Sequence, residues 1–145
     1  MARYSAGVRT AAGTTILPSF SIYAAAGVGG TIREIGIFNT TATAVALALR
    51  RLTDTGTQGA GQTEAPHNED FVAASCTVFT THTVAPTLGD DFGYRAPLGA
   101  AVGSGVIWTF GGPGLVIAPG TANGIGVIVA TGTGQVLDGW VVWDE

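Results

Sequence analysis

Residues 32–52 read IREIGIFNTTATAVALALRRL, and the second half of this stretch, from Thr43 to Leu52, decides the fold class. As a helix, Val45, Ala48, Leu49 and Leu52 would form a stripe behind a Thr41 N-cap, with Ala and Leu contributing high helix propensity. As a strand, Val45, Leu47, Leu49 and Arg51 point one way while Ala44, Ala46, Ala48 and Arg50 point the other. A helix offers no reason for strict alternation of large residues with Ala. The preceding IREIGIFN also pairs naturally with such a strand through a short polar turn. The stretch therefore reads as a strand pair, and the row of alanines is expected to form a flat surface that another sheet or subunit approaches closely.

The rest of the chain agrees with an all-β reading. Turn signals recur every eight to twelve residues, among them GVGGT at 27–31, NTTAT at 39–43, APTLGDD at 85–91, GGPG at 111–114, APGTANG at 118–124 and TGTGQ at 131–135. Such spacing marks a sandwich or barrel of short strands. Strands are predicted at about 2–9, 15–24, 31–39, 43–53, 74–84, 92–98, 104–111, 114–118, 123–130 and 135–143. Val106, Trp108 and Phe110 share one face, as do Ile125, Val127 and Val129. The last segment, VLDGWVVWDE, has bulk on both faces, with Trp140 and Val142 on one and Val141 and Trp143 on the other. A strand apolar on both sides is covered on both sides. Near a terminus the second cover is a candidate for another subunit.

With 145 residues the chain fits one domain spanning 1–145. It is 46% apolar but only 11% charged, less than half the usual charged fraction of about 25%. It contains no lysine: its six basic residues are Arg3, Arg9, Arg33, Arg50, Arg51 and Arg95. Arg without Lys suits a contact surface, because guanidinium is weakly hydrated and makes forked hydrogen bonds; an Arg-, Ala- and Gly-biased genome would produce the same counts. The net charge of −4, with no basic cluster, argues against broad phosphate contact and hence against direct nucleic-acid binding. MARYSAGVRTAAG lacks the apolar core of a secretory signal and no run approaches a membrane span, so a cytoplasmic chain with no membrane partner is expected. The single cysteine, Cys76, excludes an internal disulfide.

Cys76 lies in ASCTVF, where a free cysteine in a strand is a small buried hydrophobe. His67, beside Glu64, Glu69 and Asp70, has no ligand spacing of a recognised metal site, and Asp90–Asp91 reads as a turn cap. The glycine-rich strings lack the Lys-Ser/Thr of a phosphate loop. Neither catalytic residues nor a cofactor or metal is predicted, and a non-enzymatic role follows. The three tryptophans, Trp108, Trp140 and Trp143, fit a core better than a sugar-stacking platform. The longest non-periodic segment, 54–70 (DTGTQGAGQTEAPHNED), exceeds the usual length of a structureless connection. It is predicted to be a long exposed loop that contacts a partner and can be deleted from Gln58 to Glu69 without loss of fold. Residues 1–12 are read as an N-terminal arm. The expected contact residues are Arg3, Tyr4 and Arg9 in that arm, Gln58, Gln62, Glu64 and His67 in the loop, and Trp143 on the last strand.

Two segments, EIGIFNTTATAVALALRRLTDTGT and GVIWTFGGPGLVIAPGTANGIGVIVATGTGQVLDGWVVWDE, with the Pro119–Gly120 turn closed by Asn123–Gly124, carry a resemblance. From about residue 31 onward the chain resembles small jelly-roll virion proteins of tailed bacteriophages. The resemblance implies a single antiparallel β-sandwich of jelly-roll type with about eight to ten strands. It also implies a structural role as a head decoration or minor capsid protein, a homo-oligomer (commonly a trimer) bound to the major capsid protein or other virion proteins and assembled in the bacterial host cytoplasm. A head-tail or tail component, or a receptor- or carbohydrate-binding module of a tail fibre, is the alternative. A cupin-like enzyme would need a richer histidine cluster than His67 and His82 supply.

Overall fold

The computed structural model describes residues 1–145 and contains eleven strands and no helix. In chain order these are β1 (Arg3–Arg9), β2 (Phe20–Tyr23), β3 (Gly30–Asn39), β4 (Val45–Leu52), β5 (Ala65–Pro66), β6 (Thr77–Thr80), β7 (Leu88–Leu98), β8 (Gly105–Thr109), β9 (Leu115–Ile117), β10 (Gly124–Thr131) and β11 (Leu137–Asp144). They form two antiparallel sheets. Sheet A has the order β5-β1-β11-β3-β8, with β9 also on β3, and sheet B the order β6-β2-β10-β4-β7. Without the short β5, β6 and β9, the strands interleave as β1-β11-β3-β8 over β2-β10-β4-β7, the double Greek key of a jelly roll.

The alternation in the sequence accounts for the core. Val45, Leu47 and Leu49 of β4 face inward with Ile125, Val127 and Val129 of β10, and meet Ile35, Ile37, Val141 and Trp143 of sheet A in one apolar cluster. The Ala/Leu stretch is thus a central strand, paired with β10 on one side and β7 on the other. Arg51, on the core-facing register at the end of β4, lies over the Phe92 ring at 5.0 Å and donates to the Val116 carbonyl at 3.3 Å, joining the two sheets. On the β7–β8 side Tyr94 stands edge-on to Phe110 and Trp108.

The row of alanines is covered at one end: Ala48 is buried, Ala46 half-buried and Ala44 exposed. Ala48, Leu52 and Ile128 are buried on the outer side of sheet B. A Cβ at Gly126 would lie 3.0 Å from Leu52 and 3.2 Å from Pro18, so the loop before β2 packs directly onto this face. The Ala48–Leu52 end of this face is thus approached closely by the chain's own loop, while the Ala44–Ala46 end stays open.

Residues 3–9, read as part of an arm, form β1 in the interior of sheet A, paired with β11 over their whole length and with β5 on the other side. Alternation in RYSAGVR places Tyr4, Ala6 and Val8 in the core, and a strand that buries three side chains is no arm. The 54–70 segment is likewise a structural element. Asp54 caps its start, accepting from Gly56 N at 3.1 Å and Thr87 N at 2.9 Å. Gly56 there has φ of 52° with the Val84 carbonyl against its α-carbon, a position that excludes a side chain. The segment then runs along β6, with Gln62 N donating to Val78 O (2.8 Å) and Thr80 N to Ala60 O (3.0 Å). It crosses to sheet A, where β5 pairs with β1 and His67 N donates to Arg3 O at 2.8 Å. One segment thereby covers the β6 edge of sheet B and the β1 edge of sheet A. Unpaired edges template aggregation, and covering them is a general remedy.

Candidate interface

The two sheets differ on their outer sides. Sheet B is partly covered by its own loops, Pro18 packing over Gly126 and Leu52. Sheet A presents an open face made of Ser5, Gly7 and Arg9 from β1, Trp140 and Val142 from β11, Gly36 and Phe38 from β3, and Ile107 from β8. Trp140 stands opposite Gly36 in the β11–β3 ladder, and Ile107 stands opposite Gly36 on the other side. A Cβ at Gly36 would collide with the Trp140 benzo ring, and one at Gly105 would collide with Phe38. Each aromatic ring therefore lies across a glycine of the neighbouring strand, the packing by which aromatics compensate strand glycines. The two rings stack at 5.4 Å with 27° between their planes. Trp140 Nε1 donates to Glu34 Oε1 at 2.7 Å, which fixes the indole plane on the sheet. Ile107 is 50% exposed and Val116, on the adjoining β9, 52% exposed.

Ion pairs frame this ledge. At one end Arg9 reaches Asp138 at 3.2 Å. At the other, Asp144 accepts Arg3 Nε (2.7 Å) and Nη2 (3.0 Å) as well as Arg33 Nε (2.6 Å). The hydrogen bond from Arg3, helped by that from Arg33, holds the Asp144 carboxyl below the usual carboxylate range against the opposing effect of its burial. Two guanidinium groups thus share one carboxylate at that corner. Arg33 also donates to Gly112 O at 2.8 Å, which ties the turn before β9 to the sheet.

The residues singled out in the sequence fall in three places. Arg3 and Arg9 lie on this open face. Gln58, Gln62, Glu64 and His67 lie along the edge-covering segment, where Glu64 Oε1 accepts Val78 N at 3.1 Å and Gln62 folds back onto Ala60 O at 3.0 Å. Tyr4 and Trp143 are core residues, stacked on each other at 5.8 Å and fully buried. Trp143 thus belongs to the core, and the tryptophan on the outer face of β11 is Trp140, three positions earlier; the Tyr4 hydroxyl donates to Val72 O at 3.0 Å. That Trp140, Phe38 and Ile107 share one outer face was not read from the sequence. The available signal was Trp140 and Val142 on one side of a strand whose other side already carried Val141 and Trp143.

Two further polar features lie beneath the surface. Cys76 is fully buried, and burial, with the Glu145 carboxylate beside it, pushes its thiol well above the ordinary range, away from the reactive thiolate. His82, 2% exposed, shares a hydrogen bond of 2.8 Å between Nε2 and Ser21 Oγ. Its Nδ1 has no hydrogen-bond partner, and its ring packs 5.9 Å from Tyr23. Burial lowers the His82 pKa, an effect that the Thr55 backbone only partly offsets. The folded state therefore takes up its proton at lower pH than the unfolded chain does. The stability that neutral His82 contributes is complete above the ordinary value of about 6.5 and is lost as pH falls from there toward the folded pKa. Urea midpoints measured from pH 7.5 down to pH 5 should fall, and His82→Gln should flatten that slope; a slope identical in the variant would place its origin elsewhere.

No known protein family matches the chain, and no curated protein matches it.

Proposed function

We propose that this is a structural protein of a virus particle, a non-enzymatic decoration or minor capsid component of a bacteriophage head that works by packing the outer face of sheet A against a neighbouring chain. The observation that carries this reading is the open Trp140–Phe38 ledge with Ile107 beside it, on a sheet whose opposite face already forms the core. Large aromatics with arginine at the margin and no lysine match the makeup of contact surfaces. An unusually low charge content favours burial against other chains over life as a free, highly solvated domain. The neighbour is a second copy of this chain within an oligomer, a trimer by the resemblance, and the oligomer in turn binds the major capsid protein, where several weak subunit contacts add through effective concentration.

The test is solution mass and particle occupancy of Trp140→Ala. The wild-type chain should sediment as a discrete oligomer and the variant as a monomer, with its occupancy on particles reduced about tenfold or more. Because Trp140 lies outside the core, the thermal midpoint should drop by only a few degrees. A wild-type chain that is monomeric and absent from purified particles would refute the proposal.

A further inference from the structure

On sheet B, away from the ledge, a cleft of about 320 Å³ opens beside β2 and β6, walled by the start of the 54–70 segment. Its floor holds two aromatic rings, Tyr23 and Phe79, set edge to face at 6.2 Å. Its rim carries the Gln58 carboxamide and the hydroxyls of Ser75, Thr77 and Thr121. Tyr23 is 3% exposed and its hydroxyl donates to Asp54 O at 2.9 Å, so its ring backs the half-buried Phe79, which supplies the aromatic surface open to the cleft. The rim groups, in contrast, are engaged by no other side chain or backbone group of the protein. No charged residue lines the cleft.

We infer that this cleft binds a neutral carbohydrate, one sugar ring seated on Phe79 beside Ala25 and Ala26, with its hydroxyls met by Gln58 and Thr77. A sugar ring offers C–H groups from one face and hydroxyls around its rim, which is the pattern the cleft displays in reverse: one aromatic ring and alanine methyls below, uncommitted donors and acceptors around. The volume lies at the lower end of the range for small-molecule sites, about 300–1,000 Å³, and suits a single ring better than a chain. A phosphorylated or acidic ligand would lack a cation here, and a purely apolar one would strand the four polar side chains. The Asp54 cap and the Thr57–Val84 bridge fix the wall that carries Gln58, so the cleft is shaped before a ligand arrives. This site is independent of the assembly reading. Assembly uses sheet A, and the cleft uses the far side of sheet B.

The experiment is an NMR titration of the isotope-labelled full chain with glucose, galactose, mannose and N-acetylglucosamine, each alone at millimolar concentration. Saturable shifts of the Gln58 side-chain amide and of the Ala24–Ala26 backbone amides are expected with at least one of them. Gln58→Ala and Thr77→Val should each raise Kd about tenfold, the effect of losing one directed polar contact, while the thermal midpoint stays in place. Thr77→Val keeps a β-branched residue in β6, and Gln58→Ala touches no hydrogen bond of the fold, so loss of binding in these variants reports the site and not unfolding. Absence of saturable shifts with all four sugars overturns the inference, and so do shifts that map to Trp140 or survive both substitutions.

Discussion

Trp143→Ala is expected to remove about 3–5 kcal/mol from the stability of the fold, the usual cost of truncating a large buried aromatic. Trp143 is fully buried, stacks on Tyr4 at 5.8 Å, and stands where β11 crosses between β1 and β3. Its indole closes the space over Gly30, where a Cβ would lie 2.9 Å from Cys76 Sγ and 3.5 Å from the indole itself. Collapse into the vacated volume is hindered because the backbone on both sides is held in the sheet ladder. Tyr4 would lose its stacking partner at the same time. Against a total stability of about 5–15 kcal/mol for a domain, the variant should melt roughly 10–20 °C lower and show a lowered urea midpoint. Trp143→Phe, which keeps a ring in the site, should recover most of this. A Trp143→Ala protein within about 1 kcal/mol of wild type would mean that the indole does not support the core.

The contrast between Trp143 and Trp140 shows how far the sequence can be read. Alternation of large and small residues was sufficient to turn TAVALALRRL into β4, and the same period located β1, β3, β7, β8, β10 and β11 within a few residues. It could not rank the two faces of VLDGWVVWDE, because both are bulky and a period of two says only that they are opposite. The ranking comes from the partners. Gly36 and Gly105 line the outer side, where they leave room for rings lying flat on the sheet, while Ile35, Ile37 and Tyr4 line the inner side. Glycine placement on two strands distant in sequence becomes informative only once their register is known.

The edge-covering segment was illegible for a different reason. DTGTQGAGQTEAPHNED has no period because its pairing is made by backbone groups at isolated positions: Thr57 with Val84, Gly61 with Phe79, and the two-residue β5 with β1. Such pairing leaves almost no trace in side-chain choice. Glu64 is the exception, since its carboxylate takes the Val78 amide that the edge strand leaves open, but one acid in a polar run cannot be told from a solvated one. For the N-terminal residues the strand itself was legible, since Tyr4, Ala6 and Val8 alternate; its place in the interior of sheet A, paired on both sides, was not, because the small Ala and Gly between the arginines give no sign of how well it is covered.

Deletion of Gln58–Glu69 should therefore abolish the soluble fold, contrary to what its composition implies. The loss includes the bonds from Gln62 N to Val78 O (2.8 Å), Thr80 N to Ala60 O (3.0 Å) and His67 N to Arg3 O (2.8 Å), together with the Glu64 carboxylate on Val78 N (3.1 Å). Each is worth about 1 kcal/mol net, and the β5 ladder goes with them. The more damaging consequence is kinetic and intermolecular. Both β6 and β1 would present bare edges on sheets rich in Val, Ile and Thr, with no lysine anywhere in the chain to discourage edge-to-edge pairing. The expected result is insoluble protein, or soluble aggregate that binds an amyloid dye, where the wild type gives neither. Glu64→Ala, which frees only one amide, should stay soluble with a urea midpoint lowered by the equivalent of about 1–3 kcal/mol. If the deletion variant is folded, soluble and as stable as wild type, the segment is a dispensable loop and the edges are protected by something else. If it aggregates, its absence from particles says nothing about contact, and the contribution of this edge to assembly has to be read from exposed side chains such as His67, whose imidazole can be replaced without touching the backbone bond to Arg3.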